Sequence, residues 1–180
     1  MHLMIDIETL STSPNAAVAS IGIAAFDMEG IHEVHYTRVD WQADSAAGGD
    51  VEPGTVAWWL AQSEEARKEL TAKGRRAPKL ACEWLNDIVK NVEPGNVWAN
   101  GPEFDLVILS QMFKRYGMNF PVPFWKWQSL RTAKLFGPDP QSIEYPTELV
   151  GHNALDDAVK QAIYVIAAFG QKTGQTRKTA

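Results

Sequence analysis

Cysteine is almost missing from this chain: one residue in 180, Cys82. A single thiol can neither close an internal disulfide nor build a cysteine-based zinc cage, and it points to a reducing compartment, with the cytoplasm as the simplest address. Long apolar runs are missing as well; none approaches the roughly 18 residues of a membrane span, so no membrane association is expected. Met1 to Thr9 has no basic stretch and meets two acids by residue 8, which excludes a secretory signal there. Internal repeats and low-complexity blocks are absent. A positive charge excess is lacking too: 17 basic against 22 acidic residues leave −5. That balance argues against broad, sequence-blind adhesion to nucleic acid, yet it leaves room for a site whose own acids bind cations.

What is there has the composition of an ordinary globular domain, 45% hydrophobic and 22% charged. A length of 180 residues suits about one domain, expected over 1–170. Residues 171–180 carry Lys172, Arg177 and Lys178 without a large apolar side chain and read as a flexible basic tail. Leu3 to Glu8 is a short apolar run with acids inserted, a buried-strand pattern. Ala16 to Asp27 is rich in small and β-branched residues, and Met28-Glu29-Gly30 then turns the chain into Ile31 to Val39, a hairpin partner. Ala43 to Gly54 reads as a polar, Gly-rich loop.

Helical spacing follows at Val56, Trp59 and Leu60, and again over Glu64 to Ala72. Pro78 occupies a first-turn position ahead of Leu80, Trp84, Leu85, Ile88 and Val89. A strand over Asn96 to Asn100, a helix over Phe104 to Tyr116, a strand over Phe124 to Gln128 and helices over Ser129 to Phe136 and Asn153 to Phe169 complete the chain. The order β-β-β-α-β-α-β-α predicts an α/β domain. Its mixed sheet would have three antiparallel strands first and parallel strands after, flanked by helices.

Three places carry chemistry. Asp6 and Glu8 interrupt an apolar strand at i, i+2 spacing, which puts both carboxylates on one face, roughly 6.5–7 Å apart at the backbone. Such a pair can share a hard divalent cation or clamp two, and oxygen ligands favour Mg²⁺ or Mn²⁺ over zinc. An exposed edge strand with two solvated acids would have the same letters. Asp105 falls in the first turn of a helix after Asn100-Gly101-Pro102, where an acid also complements the helix dipole. His152 precedes the last helix, with Asp157 five residues on; histidine can accept a proton from a reacting water, or simply cap or pack. Cys82 sits beside Trp84 in a periodic stretch and reads as core.

Taken together, Asp6-Ile7-Glu8-Thr9, Asn100 to Asp105 and His152 to Asp157 resemble, in order and spacing, the three motifs of the DEDD (DnaQ-like) 3′–5′ exonuclease superfamily. The His-x₄-Asp form of the third motif places the likeness in the histidine-containing branch. Ile5-Asp6-Ile7-Glu8-Thr9-Leu10, Ala17 to Gly22 and Thr55 to Ser63 look most like small stand-alone exonucleases of phages and bacteria. The resemblance implies a ribonuclease H-like fold and a cytoplasmic enzyme of a bacterial or phage-infected cell. It implies two Mg²⁺ or Mn²⁺ ions held by Asp6, Glu8, Asp105 and Asp157, with His152 as general base. The implied reaction is hydrolysis of phosphodiesters at 3′ ends of single-stranded DNA or RNA, releasing 5′-mononucleotides. Thr9, Leu10 and Asn100 would contact the substrate, although Gly101-Pro102 departs from the usual second motif.

The seven tryptophans are more than a small domain needs. Trp84 and Trp98 lie on apolar patterns and read as core; Trp125 and Trp127 would share one strand face. Bases stack on such rings in a sequence-tolerant way, and an aromatic surplus also points to a homodimer face. Two other readings stay open at this stage. One is an idle nucleic-acid-binding module of the same fold. The other is a ribonuclease H-like endonuclease, which would want a more basic groove than a charge of −5 suggests.

Overall fold

The alternation of apolar side chains along the first strand decides which elements can cover it. A computed structural model describes residues 1–170, and the basic tail expected over 171–180 lies outside them. Strands β1 (His2–Thr9), β2 (Val18–Phe26) and β3 (Ile31–Arg38) form an antiparallel meander. Strands β4 (Asn96–Ala99) and β5 (Trp127–Ser129) add on parallel to β1, giving the order β3-β2-β1-β4-β5. Seven helices are described: α1 (Trp41–Ala46), α2 (Pro53–Leu60), α3 (Glu64–Thr71), α4 (Pro78–Val92), α5 (Asp105–Arg115), α6 (Leu130–Phe136) and α7 (Ala154–Phe169). The expected mixed sheet is the one that forms. No described helix is long and apolar enough to cross a membrane.

Successive residues of β1 point to opposite faces. Leu3, Ile5 and Ile7 join Leu85 of α4 and Leu106, Leu109 and Phe113 of α5 in the largest core cluster. Met4 joins Ala24 and Phe26 of β2 and Ala158, Ala162 and Val165 of α7 on the other face. Asp6 and Glu8 continue the Met4 face, so the register of one strand aims both carboxylates at α7.

Small residues then let α7 come close. Ala154, Ala158 and Ala162 recur at i, i+4 and i+8 and are fully buried. Gly22, paired with Asp6 across β1 and β2, has no Cβ; one built there would lie 2.1 Å from the Ala154 carbonyl oxygen. Any side chain at position 22 would therefore push the start of α7 off the sheet.

Two local expectations change. Part of the segment expected as a loop over 43–54 is helix α1, capped by Asp40, whose carboxylate accepts from Ala43 N–H at 3.2 Å, and anchored by the buried Asp44. A tertiary anchor there overrides weak local helical propensity. The expected strand over 124–128 starts later: Phe124–Lys126 form a 3₁₀ turn after Pro123, and pairing begins at Trp127 opposite Val97. Trp125 and Trp127 therefore share no strand face. Trp125 is exposed, while the Trp127 indole donates to the Val122 carbonyl at 3.1 Å. Trp84 and Trp98 are partly buried against the two cores, and Cys82 is fully buried, its thiol pushed up to about 12 by burial.

Candidate active site

Asp6 and Glu8 reach the α7 side of the sheet near the end of β1 and are each 9% exposed. Strand β4 runs parallel to β1 and delivers the chain to the same end of the sheet. There Gly101 and Pro102 turn it, the Gly101 carbonyl accepting from Phe104 N–H at 2.8 Å and Asp105 N–H at 3.2 Å. This turn starts α5 with Asp105, which is 4% exposed.

The fourth carboxylate comes from α7. Asn153 caps that helix, its side-chain oxygen accepting from Leu155 and Asp156 N–H at 3.1 Å each. The two adjacent acids then separate by the helical rotation. Asp156 turns back to accept from Val150 N–H at 2.9 Å, while Asp157 faces the sheet and accepts from His152 N–H at 2.9 Å. His152 has φ +61°, a left-handed conformation that histidine visits more readily than most residues. Its ring stands edge-on to Trp58, 4.8 Å between centroids, and 6.5 Å from Trp59. Glu8, His152 and Asp157 offer ligand atoms that all lie within 4.8 Å of one another.

Electrostatics in this cleft are unfavourable for ionised acids. Burial, then the charges of Asp105, Glu8 and Asp157, hold Asp6 well above the usual carboxylate range. Glu8 is raised in the same way by burial and by Asp157, Glu69 and Asp105. Burial pushes Asp105 up to about 7 and raises Asp157 as well. Asp6 has one side-chain donor, Gln161 Nε2 at 2.6 Å, and Gln161 Oε1 is buried without a protein partner. Crowded oxygen donors that stay raised although Arg131 and Lys160 act on Asp105 and Asp157 suit hard divalent ions, whose positive charge would remove the repulsion. The residues fit such ions.

The cleft, of about 830 Å³, has a second lining that contrasts with its acidic floor. Arg131 and Lys134 of α6 and Lys160 of α7 stand on one flank, with Tyr145 and Tyr164. The Lys134 and Lys160 ammonium groups lie 5.7 Å from the Tyr164 ring centroid and 5.4 Å from that of Tyr145. Sequence reasoning missed these cations and Gln161. The spacing signal was present for two of them, since Lys160 and Gln161 lie three and four residues past Asp157, on its side of the helix.

All four expected carboxylates and His152 come together here, with Asn100 also lining the cleft. Thr9 lines an adjoining hollow of about 400 Å³ with Thr12, Trp58, Trp59 and Phe104. Its hydroxyl donates to the Ser11 carbonyl at 2.7 Å, and its carbonyl accepts from the Trp59 indole at 2.9 Å. Leu10 is placed differently: it is 1% exposed and packs with Ala17, Ala19, Trp59 and Ala66, lining neither space. The register shifts between Glu8 and Thr9 and the strand ends at Thr9, so the alternation that aims Asp6 and Glu8 at the cleft does not extend to Leu10.

A sequence model of the Rv2179c-like 3′–5′ exoribonuclease domain matches residues 1–169. An exodeoxyribonuclease of Enterobacteria phage T4 is 24% identical over 193 residues, covering 89% of this chain and 85% of that protein. Among solved structures, exonuclease X in complex with 5′ overhanging duplex DNA superposes with a TM-score of 0.59 at 17% identity, covering 98% of this chain and 95% of that one. That likeness bears out the ribonuclease H-like fold.

Proposed function

The chain belongs to the Rv2179c-like 3′–5′ exoribonuclease domain family, and we propose that its acidic cleft takes the 3′ end of a single strand and releases 5′-mononucleotides. It is a metal-dependent 3′–5′ exonuclease. In our reading Asp6, Glu8, Asp105 and Asp157 hold two ions, Mg²⁺ or Mn²⁺, and His152 is the general base. The observation that carries this is the convergence of four carboxylates from three separate elements, three buried and Asp157 partly so, all raised by burial. When bound, the ions polarise the scissile phosphate and offset charge on the departing 3′-oxygen.

The chain's own groups supply the rest. His152 accepts the proton of the attacking water, its ring set by Trp58 and its backbone by Asp157. Gln161 holds Asp6 in one orientation. Arg131, Lys134 and Lys160 line the route of the strand's phosphates. Neither lysine is paired with a carboxylate among the described residues, and the Lys134 ammonium is held below its usual range by burial and by Lys160 and Arg131. A phosphate among three crowded cations relieves their repulsion. This local field accounts for nucleic-acid binding by a chain of net charge −5. Phe124 and Trp125, 71% and 70% exposed with rings 5.3 Å apart, support a self-association face, to be checked by sedimentation.

The deciding experiment incubates 3′- and 5′-labelled DNA and RNA oligomers with Mg²⁺, Mn²⁺ or EDTA. The expected result is early loss of the 3′ label as mononucleotide, only with a divalent ion, and the same assay reads the sugar preference. Full activity in EDTA, or cuts in a circular single strand, would overturn the reading. His152→Ala should lower turnover by about 10²–10⁴-fold with the fold retained.

A further inference from the structure

Glu69 of α3 is a carboxylate outside the cleft lining, although its charge helps to raise Glu8. It is 1% exposed, yet it has no basic partner among the described residues. A buried carboxylate is expensive unless hydrogen bonds satisfy it. Here the Tyr36 hydroxyl of β3 is 2.8 and 2.9 Å from the two carboxylate oxygens, and Asn153 Nδ2 donates to Oε1 at 2.8 Å. Asn153 is thereby used at both ends, since its oxygen caps α7.

The residue before Asn153 is His152, held at φ +61°. A non-glycine residue keeps that backbone only where its surroundings impose it. One restraint is the bond from His152 N–H to Asp157; the other is the neighbouring Asn153, tied to Glu69 across 84 residues of sequence. The ring is braced by Trp58 and Trp59 of α2, just ahead of α3 in the chain. The α2–α3 segment therefore braces the His152 ring directly and reaches its backbone only through the side chain of Asn153.

We propose that Glu69 is a positioning residue for the reaction, tethering the Asn153 amide so that the His152 loop and the start of α7 stay in working register. This rests on the reading of His152 as general base.

The test exploits the direction of the hydrogen bond. Glu69→Ala should lower kcat by about 10–100-fold, the usual effect of losing a group that orients an active-site residue, with KM little changed. Amide hydrogen exchange over residues 150–157 of the metal-free protein should speed up in the same variant. Glu69→Gln should keep most activity, because its oxygen still accepts from Asn153 and its amide can donate to the Tyr36 hydroxyl. Asn153→Asp keeps the helix cap but sets two carboxylates face to face, and should lose activity. Glu69→Gln combined with Asn153→Asp reverses donor and acceptor, keeps the total charge, and should recover much of what Asn153→Asp loses.

Unchanged exchange in Glu69→Ala, unchanged kcat, or no recovery in the double variant overturns the proposal. Should Glu69→Ala fail to fold, the comparison of Asn153→Asp with the double variant decides alone. A wild-type chain with no nuclease activity would instead strike the exonuclease reading, and the exchange data would still report on the tether.

Discussion

Asp44 and Asp105 are almost equally hidden from solvent, 0% and 4% exposed, yet they sit in opposite electrical surroundings. Asp44 accepts from Arg115 Nη1 at 2.5 Å, the Tyr116 hydroxyl at 2.9 Å and Val18 N–H at 3.0 Å, which ties α1 to α5 and β2. Arg115 in turn donates through Nη2 to the Asn15 carbonyl and side-chain oxygens, both at 2.9 Å. Every charge in that region has a partner within the chain. Asp105 shares its region with Asp6, Glu8 and Asp157, and the group as a whole lacks a buried cation of the protein's own. Burial with compensation builds structure; burial without it stores a demand for positive charge, which is what a cation-dependent site uses.

The largest effect that separates the two regions is on activity. Asp105→Asn and Asp157→Asn should each lose about 10³-fold or more in kcat/KM, since ion-mediated charge stabilisation is worth several kcal/mol. Asp105→Asn should nevertheless melt no lower than wild type in EDTA, because it removes a buried, repelled charge. A lower melting temperature for the variant in EDTA would erase the distinction drawn between the two regions.

Asp44→Asn should behave in the reverse way. It leaves Arg115 buried and under-compensated, with an expected loss of about 3–5 kcal/mol in a denaturant titration. The fraction still folded should keep its kcat.

A smaller effect is the pH response of the metal-free protein. Asp105 titrates at about 7 when folded, against about 3.9 for an unfolded aspartate, and Asp6 and Glu8 are raised as well. Between these values the folded state binds more protons than the unfolded one, so stability falls as pH rises. The contribution is fully present below about 4 and lost above about 7. Melting temperature in EDTA should therefore increase as the pH is lowered from about 8 to about 5, and saturating Mn²⁺ should flatten the slope. A metal-free protein that becomes less stable across that interval would contradict the raised carboxylate cluster.

The smallest effect sharpens the register of α7. Asp156 bonds to Val150 N–H and sits in the first turn, so Asp156→Asn should cost only about 0.3–1 kcal/mol and keep a large fraction of activity. An inactive Asp156→Asn with an active Asp157→Asn would shift the proposed ligand by one residue.

The sequence by itself determined what short-range geometry controls. A strand alternates with period two, so Asp6 and Glu8 had to share a face. Helical rotation had to point Asp156 and Asp157 about 100° apart, the likeness to a His-x₄-Asp motif singled out Asp157, and the turn at Gly101-Pro102 had to place Asp105 at a helix start. Tertiary structure decided everything that depends on distant partners. Asp44 meets Arg115 across 71 residues and Glu69 meets Asn153 across 84, contacts with no local periodicity to announce them. The same holds for helix α1 inside an apparent loop, for Leu10 turned into the core beside Thr9, and for the lysines of α6 and α7 brought to one cleft. Each was settled by which buried polar group found a partner once the sheet had closed, and one-dimensional spacing carries no record of that choice.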